Sequence, residues 1–156
     1  QMCIRDRLNT MFQRILPHSN AEQLFRLWQD SYIIEKQIIE ASIFPPLNRK
    51  VNDFLNSENE FFGIVNHEFL GVVEICSKDN KIHIQSLVVA PKYFRKGVAT
   101  SMLVNIFKMY PKKKFTVETG YKNTPAKKLY ESLGFRKDKV WITAYGIKKI
   151  RYTKRA

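Results

Sequence analysis

The stretch VVAPKYFRKGVAT, Val88–Thr100, joins a β-branched apolar run to an apolar helical pattern through a basic loop with a single glycine. Just upstream, KIHIQSLVVAP places Ile82 and Ile84 on one phase of a strand and Leu87 and Val89 on the other. Strand side chains repeat every two residues, so a phase change at Gln85-Ser86 predicts a bulge that re-aims the later half. A strand buried on both faces is the competing reading. Downstream, Val98, Met102, Leu103, Ile106 and Met109 share a helical face until Pro111 ends it. A strand entering a tight loop and then a helix gathers unpaired N–H groups and the positive end of the helix dipole at one point, which makes an anion site. Gly97 would let the backbone approach that anion, with Lys92, Arg95 and Lys96 adding charge around it. An ordinary strand-to-helix turn carries the same pattern. The loop lacks the G-x-x-x-x-G-K-[ST] of a P-loop and the three glycines of a dinucleotide fingerprint.

Beyond the loop, KKFTVET reads as a strand with Phe115 and Val117 on one face. NTPAKKLYESLGF then reads as a helix with Thr124 as N-cap, Pro125 at its first position, Ala126, Leu129, Tyr130 and Leu133 on one face, and Gly134 as the stop. FRKDKVWITAYGIKKIRYTK closes the chain as a hairpin. Toward the start, MFQRIL reads as a strand, and Ser19-x-x-Glu22 is a capping box that predicts a helix from Ser19 through Leu24, Phe25 and Trp28. A second pattern through Ile34, Ile38 and Ala41 stops at Pro45-Pro46, and Leu47, Val51, Phe54 and Leu55 resume a helical stripe. FFGIVN and FLGVVEICS, joined by a short polar link, form a hairpin. Hairpin, strand, helix, strand, helix and hairpin together predict a mixed α/β sheet with helices on its faces.

The 156 residues, 44% apolar and 13% aromatic, suit a single domain over residues 11–156, with residues 1–10 expected to be a non-native or disordered leader. No apolar run approaches the roughly 20 residues that span a bilayer, so the expectation is a cytoplasmic protein with no membrane partner. Cys3 and Cys76 form no C-x-x-C pair, and the three histidines lie far apart, so no metal is expected. The formal charge of +13 is unevenly spread. Residues 1–80 hold 8 Lys/Arg against 11 Asp/Glu, net −3, and residues 81–156 hold 19 against 3, net +16. A half so basic points to a polyanionic partner, either a phosphate-rich cofactor or nucleic acid; a solvated basic surface is the plainer alternative.

Two motifs in order resemble the GNAT superfamily of acyl-CoA-dependent N-acyltransferases. Its [Q/R]-x-x-G-x-[G/A] is matched by Phe94-Arg95-Lys96-Gly97-Val98-Ala99, with Phe94 where the family prefers Gln or Arg. Its N-x-x-A-x-x-L-Y-x-x-x-G-F is matched throughout by Asn123, Ala126, Leu129, Tyr130, Gly134 and Phe135. The resemblance implies a mostly antiparallel sheet of six to seven strands flanked by about four helices, with a splayed, bulged fourth strand. It implies that acetyl-CoA is the co-substrate. Arg95, Lys96, Gly97, Val98, Ala99 and Thr100 would receive its pyrophosphate, while the backbone of Leu87, Val88 and Val89, with Asn123, would hold its pantetheine arm. It implies direct acetyl transfer to a primary amine, with Tyr130 as acid to the departing thiolate and His83 as base, Glu74 being the second candidate. The acceptor would be a small-molecule or peptide amine, held in a slot to which Phe61, Phe62, Phe69, Trp141 and Tyr145 are candidate contributors, and the acidic Glu58, Glu60 and Glu68 favour a cationic one. The terminal hairpin admits a homodimer. The rival readings are a basic RNA-binding or RNA-acylating protein, with a track from Lys112–Lys114 to Arg155, and a non-catalytic acyl-CoA binding module.

Overall fold

A computed structural model describes residues 12–156; the leader expected at residues 1–10 lies outside the described residues. The chain runs β1 (Phe12–Ile15), α1 (Pro17–Ile38), a 3-10 turn (Pro45–Asn48), α2 (Val51–Leu55), β2 (Glu60–Asn66), β3 (Glu68–Lys78) and β4 (Lys81–Val89). A second 3-10 turn (Pro91–Tyr93) leads to α3 (Val98–Met109), β5 (Lys114–Gly120), α4 (Thr124–Ser132), β6 (Arg136–Ile142) and β7 (Lys148–Lys154). The strands make one sheet in the order β1-β2-β3-β4-β5-β7-β6. Every neighbouring pair is antiparallel except β4 with β5. This is the expected mixed, mostly antiparallel α/β architecture with four helices.

Each face of the sheet is covered. On one face Val98, Met102, Leu103 and Ile106 of α3, and Tyr130 of α4, pack on Val73, Ile75, Ile82, Ile84, Val117 and Ile150. On the other, Leu24, Leu27 and Trp28 of α1 and Phe54 of α2 pack on Phe61, Val72 and Val88. Adjacent residues on β3, such as Val72 and Val73, thus serve opposite cores, while Val73 and Ile75, two apart, share one, as the two-residue strand period requires.

Two boundaries differ from the sequence reading. Helix α1 starts at Pro17, not Ser19, because a proline at the first turn needs no N–H partner and already has a helical φ. The Asn20 amide donates to the Leu16 carbonyl at 2.9 Å, and Glu22 instead pairs with Arg26. With no proline or glycine between Trp28 and Ile38, the two apolar patterns fuse into one 22-residue helix. At α4 the N-cap is Asn123, not Thr124: its side-chain oxygen accepts from the Ala126 N–H at 3.2 Å.

The predicted bulge positions the site. Glu74 pairs with Ser86 but Ile75 pairs with Ile84, which leaves Gln85 as the extra residue. Ile82 and Ile84 therefore share the α3 face with Leu87 and Val89, while Val88 turns toward α1. Strand β5 pairs with β4 only along Lys81–Ile84. Past that point the strands part, and Glu118–Gly120 pair only with β7. The fork leaves polar backbone edges facing a gap in the middle of the sheet.

Candidate functional site

Two cavities meet at this fork. The larger, about 550 Å3, lies between the end of β4, the start of α3 and the start of α4. Leu87, Val89, Arg95, Gly97, Val98, Ala99, Thr100, Asn123 and Tyr130 line it, so nine of the predicted site residues come together. Val88 is buried toward α1, and the Lys96 ammonium lies 5.9 Å from the Tyr93 ring centre; neither lines the cavity. Lys92 is turned away from the loop's interior: it pairs with Glu68, whose carboxylate also accepts from the Tyr93 hydroxyl at 2.6 Å. That contact fastens the loop to β3.

Gly97 caps α3 in the left-handed region at φ 79°, and Arg95 is also left-handed at φ 61°. A side chain built on Gly97 would meet no atom within 4 Å. The loop thus presents open space directly before the first turn of α3, where N–H groups have no partner inside the helix. This suits an anion.

The smaller cavity, about 360 Å3, opens on the α1 side of the fork. Trp28, Phe44, Pro45 and Tyr145 supply apolar surface; Arg49, Glu118 and Lys149 supply charge. Of the aromatics expected to shape an acceptor slot, only Tyr145 is here. Phe61 and Phe62 are core residues, Phe69 packs against the α1-side core, and Trp141 lies under Lys139 on the edge strand β6. Glu60 pairs with Arg14, and neither it, Glu58 nor Glu68 reaches this cavity.

Four residues line both cavities: Tyr32, Glu35, Leu87 and Tyr130. Tyr130 packs between Phe135 and Tyr152, at ring-centre distances of 5.6 and 5.9 Å. Among the described residues its hydroxyl has no hydrogen-bond partner, yet no buried side-chain polar atom is left unsatisfied, so the hydroxyl faces cavity space. Burial pushes its pKa well above the usual phenol value, with the nearby Glu35 carboxylate adding to the rise, which keeps it protonated at neutral pH.

Tyr32 and Glu35 were not foreseen. They fall on the apolar face of α1 in the series Trp28, Tyr32, Glu35, Ile39, all of which line the smaller cavity. A carboxylate on such a face was the available signal. Tyr32 bonds to the Ser86 hydroxyl, and burial raises its pKa. Glu35 accepts from the Asn123 amide at 2.6 Å and from Thr119. Burial raises the Glu35 pKa above its ordinary 4.5, against the opposing pull of those bonds and of Lys149. Asn123 therefore uses one end of its amide to cap α4 and the other to hold Glu35.

The two residues expected as bases line neither cavity. His83 hydrogen-bonds through Nδ1 to Thr116 Oγ1 at 2.7 Å, and burial lowers its pKa. Glu74 is completely buried. Arg49 donates to both its oxygens at 2.7 and 2.9 Å, and Asn59 adds a third bond at 2.9 Å. The Arg49 guanidinium in turn sits 4.2 Å from the centre of the Phe54 ring. Among the described residues no group of three or more His, Cys, Asp or Glu is arranged to hold a metal, and no helix is long and apolar enough to cross a membrane.

Comparison with known proteins assigns the family. Residues 21–135 match the sequence model described as the Acetyltransferase (GNAT) family. The chain is 32% identical over 129 residues to the UPF0157 protein YqkA of Bacillus subtilis, covering 81% of this chain and 38% of that protein. It is 36% identical over 76 residues to an N-alpha-acetyltransferase of Saccharolobus solfataricus, covering 46% of each. The chain thus spans less than half the length of the curated relatives it matches. In fold it resembles the PaiA N-acetyltransferase of Thermoplasma acidophilum, solved in complex with coenzyme A, with a TM-score of 0.70 at 19% identity over 93% of this chain and 98% of that one. With the family match covering most of the sequence, and the bulged strand, glycine-capped helix and Asn123–Phe135 motif gathered around one fork, the chain belongs to the GNAT acetyltransferase family.

Proposed function

We propose that this protein transfers an acetyl group from acetyl-CoA directly to a primary amine, with the larger cavity receiving the co-substrate, the smaller one the acceptor, and Tyr130 acting as general acid between them. The observation that carries the reading is the place of Tyr130, whose unpartnered hydroxyl faces space at the wall common to both cavities. The residues fit a phosphate-bearing acyl carrier: Gly97 leaves open space before the first turn of α3, and Arg95 lines the same cavity. The diverging edge of β4 offers the Leu87 and Val89 backbone to an extended amide-bearing arm as an additional strand would use it. When bound, acetyl-CoA supplies an activated thioester. Leu87 and Val89 orient the arm, Val98 closes its apolar side, and Tyr130 holds the proton that the departing sulfur needs. The acceptor is a small molecule or a peptide end, since the smaller cavity holds about 360 Å3.

Tyr130→Phe tests this. General acid catalysis contributes about 10²–10⁴-fold, so turnover should fall by at least about 100-fold. Acetyl-CoA affinity by calorimetry should be unchanged, because the ring and its packing remain. Undiminished turnover removes Tyr130 from the chemistry.

A further inference from the structure

We propose that Glu35 receives the protonated acceptor amine and takes up its proton, which makes the acceptor a cationic primary amine. The inference rests on the acetyl-transfer reading of the site. Four charged side chains line the smaller cavity, and three are already paired: Arg49 with Glu74 at 2.7 Å, and Lys149 and Glu118 with each other at 3.8 Å. Glu35 alone among the four has no ion-pair partner within 4 Å among the described residues. The site therefore carries one uncompensated negative charge in a half-chain that is otherwise strongly basic, and its complement is a cation. An anionic acceptor would meet repulsion from a carboxylate removed from bulk water.

Geometry gives that charge a chemical task. Glu35 lines both cavities, as Tyr130 does, and the two interact electrostatically. The groups facing it are Tyr32 on its own helix, Thr119 on β5, Lys149 on β7, and Asn123 and Tyr130 around α4. Asn123 and Thr119 both hydrogen-bond the carboxylate, fixing its orientation. The acceptor arrives as R–NH3+ and passes one proton to the Glu35 carboxylate. The freed lone pair forms the C–N bond to the thioester carbonyl carbon as the C–S bond breaks. Tyr130 gives its proton to the sulfur and recovers the second proton shed by nitrogen as the amide forms. Glu35 then releases its proton to solvent. The balance is R–NH3+ plus acetyl thioester giving R–NH–acetyl, thiol and one proton.

The test uses the full chain with coenzyme A bound, 13C-labelled at Glu side-chain carboxyls, with the Glu35 signal identified by its loss in Glu35→Gln. Two probes are added, spermidine and trialanine amide. The Glu35 signal should titrate above pH 4.5 and shift on adding at least one probe. With that probe and acetyl-CoA, Glu35→Gln should lower thiol release by at least about 100-fold and remove the acid limb of its pH profile, while acetyl-CoA affinity stays within about twofold. The glutamine keeps the acceptor for the Asn123 amide, so folding is preserved. A Glu35 signal that responds to neither probe, or a variant that retains turnover and its acid limb, overturns the proposal. Failure of the underlying reading looks different: folded wild-type protein would not bind acetyl-CoA, or Tyr130→Phe would keep full turnover.

Discussion

Replacing Gly97 with alanine separates two effects that a glycine at a helix start normally mixes. In the free protein the new methyl group has no atom within 4 Å, so no clash is expected. The backbone cost remains, because φ 79° is a left-handed conformation that L side chains resist by roughly 1–2 kcal/mol. For a domain of this size each kcal/mol moves Tm by about 2–4 °C, giving a fall of roughly 2–8 °C. Binding should suffer separately. The methyl occupies the space in front of the α3 N-terminus, where the pyrophosphate is expected, and displaces it from at least one N–H group. A hydrogen bond to a charged group is worth about 1.5–3 kcal/mol, so acetyl-CoA should bind roughly 10- to 150-fold more weakly. Calorimetry would measure the affinity and thermal denaturation the stability. S-acetylpantetheine, which lacks the pyrophosphate, should bind both proteins alike, and Gly97→Glu should bind acetyl-CoA worse than the alanine variant. If Gly97→Ala shows the stability loss but keeps its acetyl-CoA affinity within twofold, the phosphates do not lie at this helix.

Two further perturbations address the scaffold around the site. Arg49→Met should destabilise the fold by about 3–5 kcal/mol, because it leaves the buried Glu74 carboxylate without its cation, and Arg49→Met/Glu74→Leu should recover most of that loss. Urea denaturation measures both; a single variant as stable as wild type would show that Glu74 does not need the pair. His83 has a folded pKa below its ordinary 6.5, so the unfolded chain takes up its proton more readily, and the stability tied to neutral His83 is lost as pH falls from about 6.5 through the folded value. His83→Gln should therefore narrow the Tm difference between pH 7.5 and pH 5.5, and an unchanged difference would place the linkage elsewhere.

The elements around the larger cavity were legible because each leaves a local mark. A phase change within KIHIQSLVV can be satisfied by a single extra residue, and Gln85 is that residue. Gly97 before an apolar helical stripe has few structural meanings, and Gly134 at φ 93° ends α4 as its position suggests. The smaller cavity left no such mark. Its lining comes from α1, the Pro45–Asn48 turn, β4, β5 and the β6–β7 loop, segments spread from Trp28 to Lys149 that no local pattern links. The aromatics chosen from sequence, Phe61 and Phe62, were plausible by type but lie in the core, since a strand with both faces covered buries adjacent residues alike. Glu74 shows a similar limit. The strand pattern shows a carboxylate on β3 but cannot show that Arg49, 25 residues earlier, has both its oxygens.

The charge distribution gains its meaning only when these two sides are joined. Read as a sum, +16 over residues 81–156 suggests an extended track for a polyanion. In the fold several of those cations are already engaged: Arg151 with Asp138 at 2.8 Å, Lys149 with Glu118, Lys92 with Glu68, and the Lys127 and Lys148 ammonium groups 3.9 and 4.0 Å from the Tyr121 ring centre. Arg95, by contrast, has its backbone in the left-handed region and lines the larger cavity beside Gly97. At the wall common to both cavities the sign reverses, at the unpaired Glu35. A site that is positive where an anionic carrier would enter and negative where the amine would stand brings two oppositely charged reactants to one tyrosine without asking either to cross a field of its own sign. The bulge at Gln85 falls where that separation begins: β4 and β5 pair only as far as Ile84 and Val117, and past the bulge Leu87 lies on the wall common to both cavities.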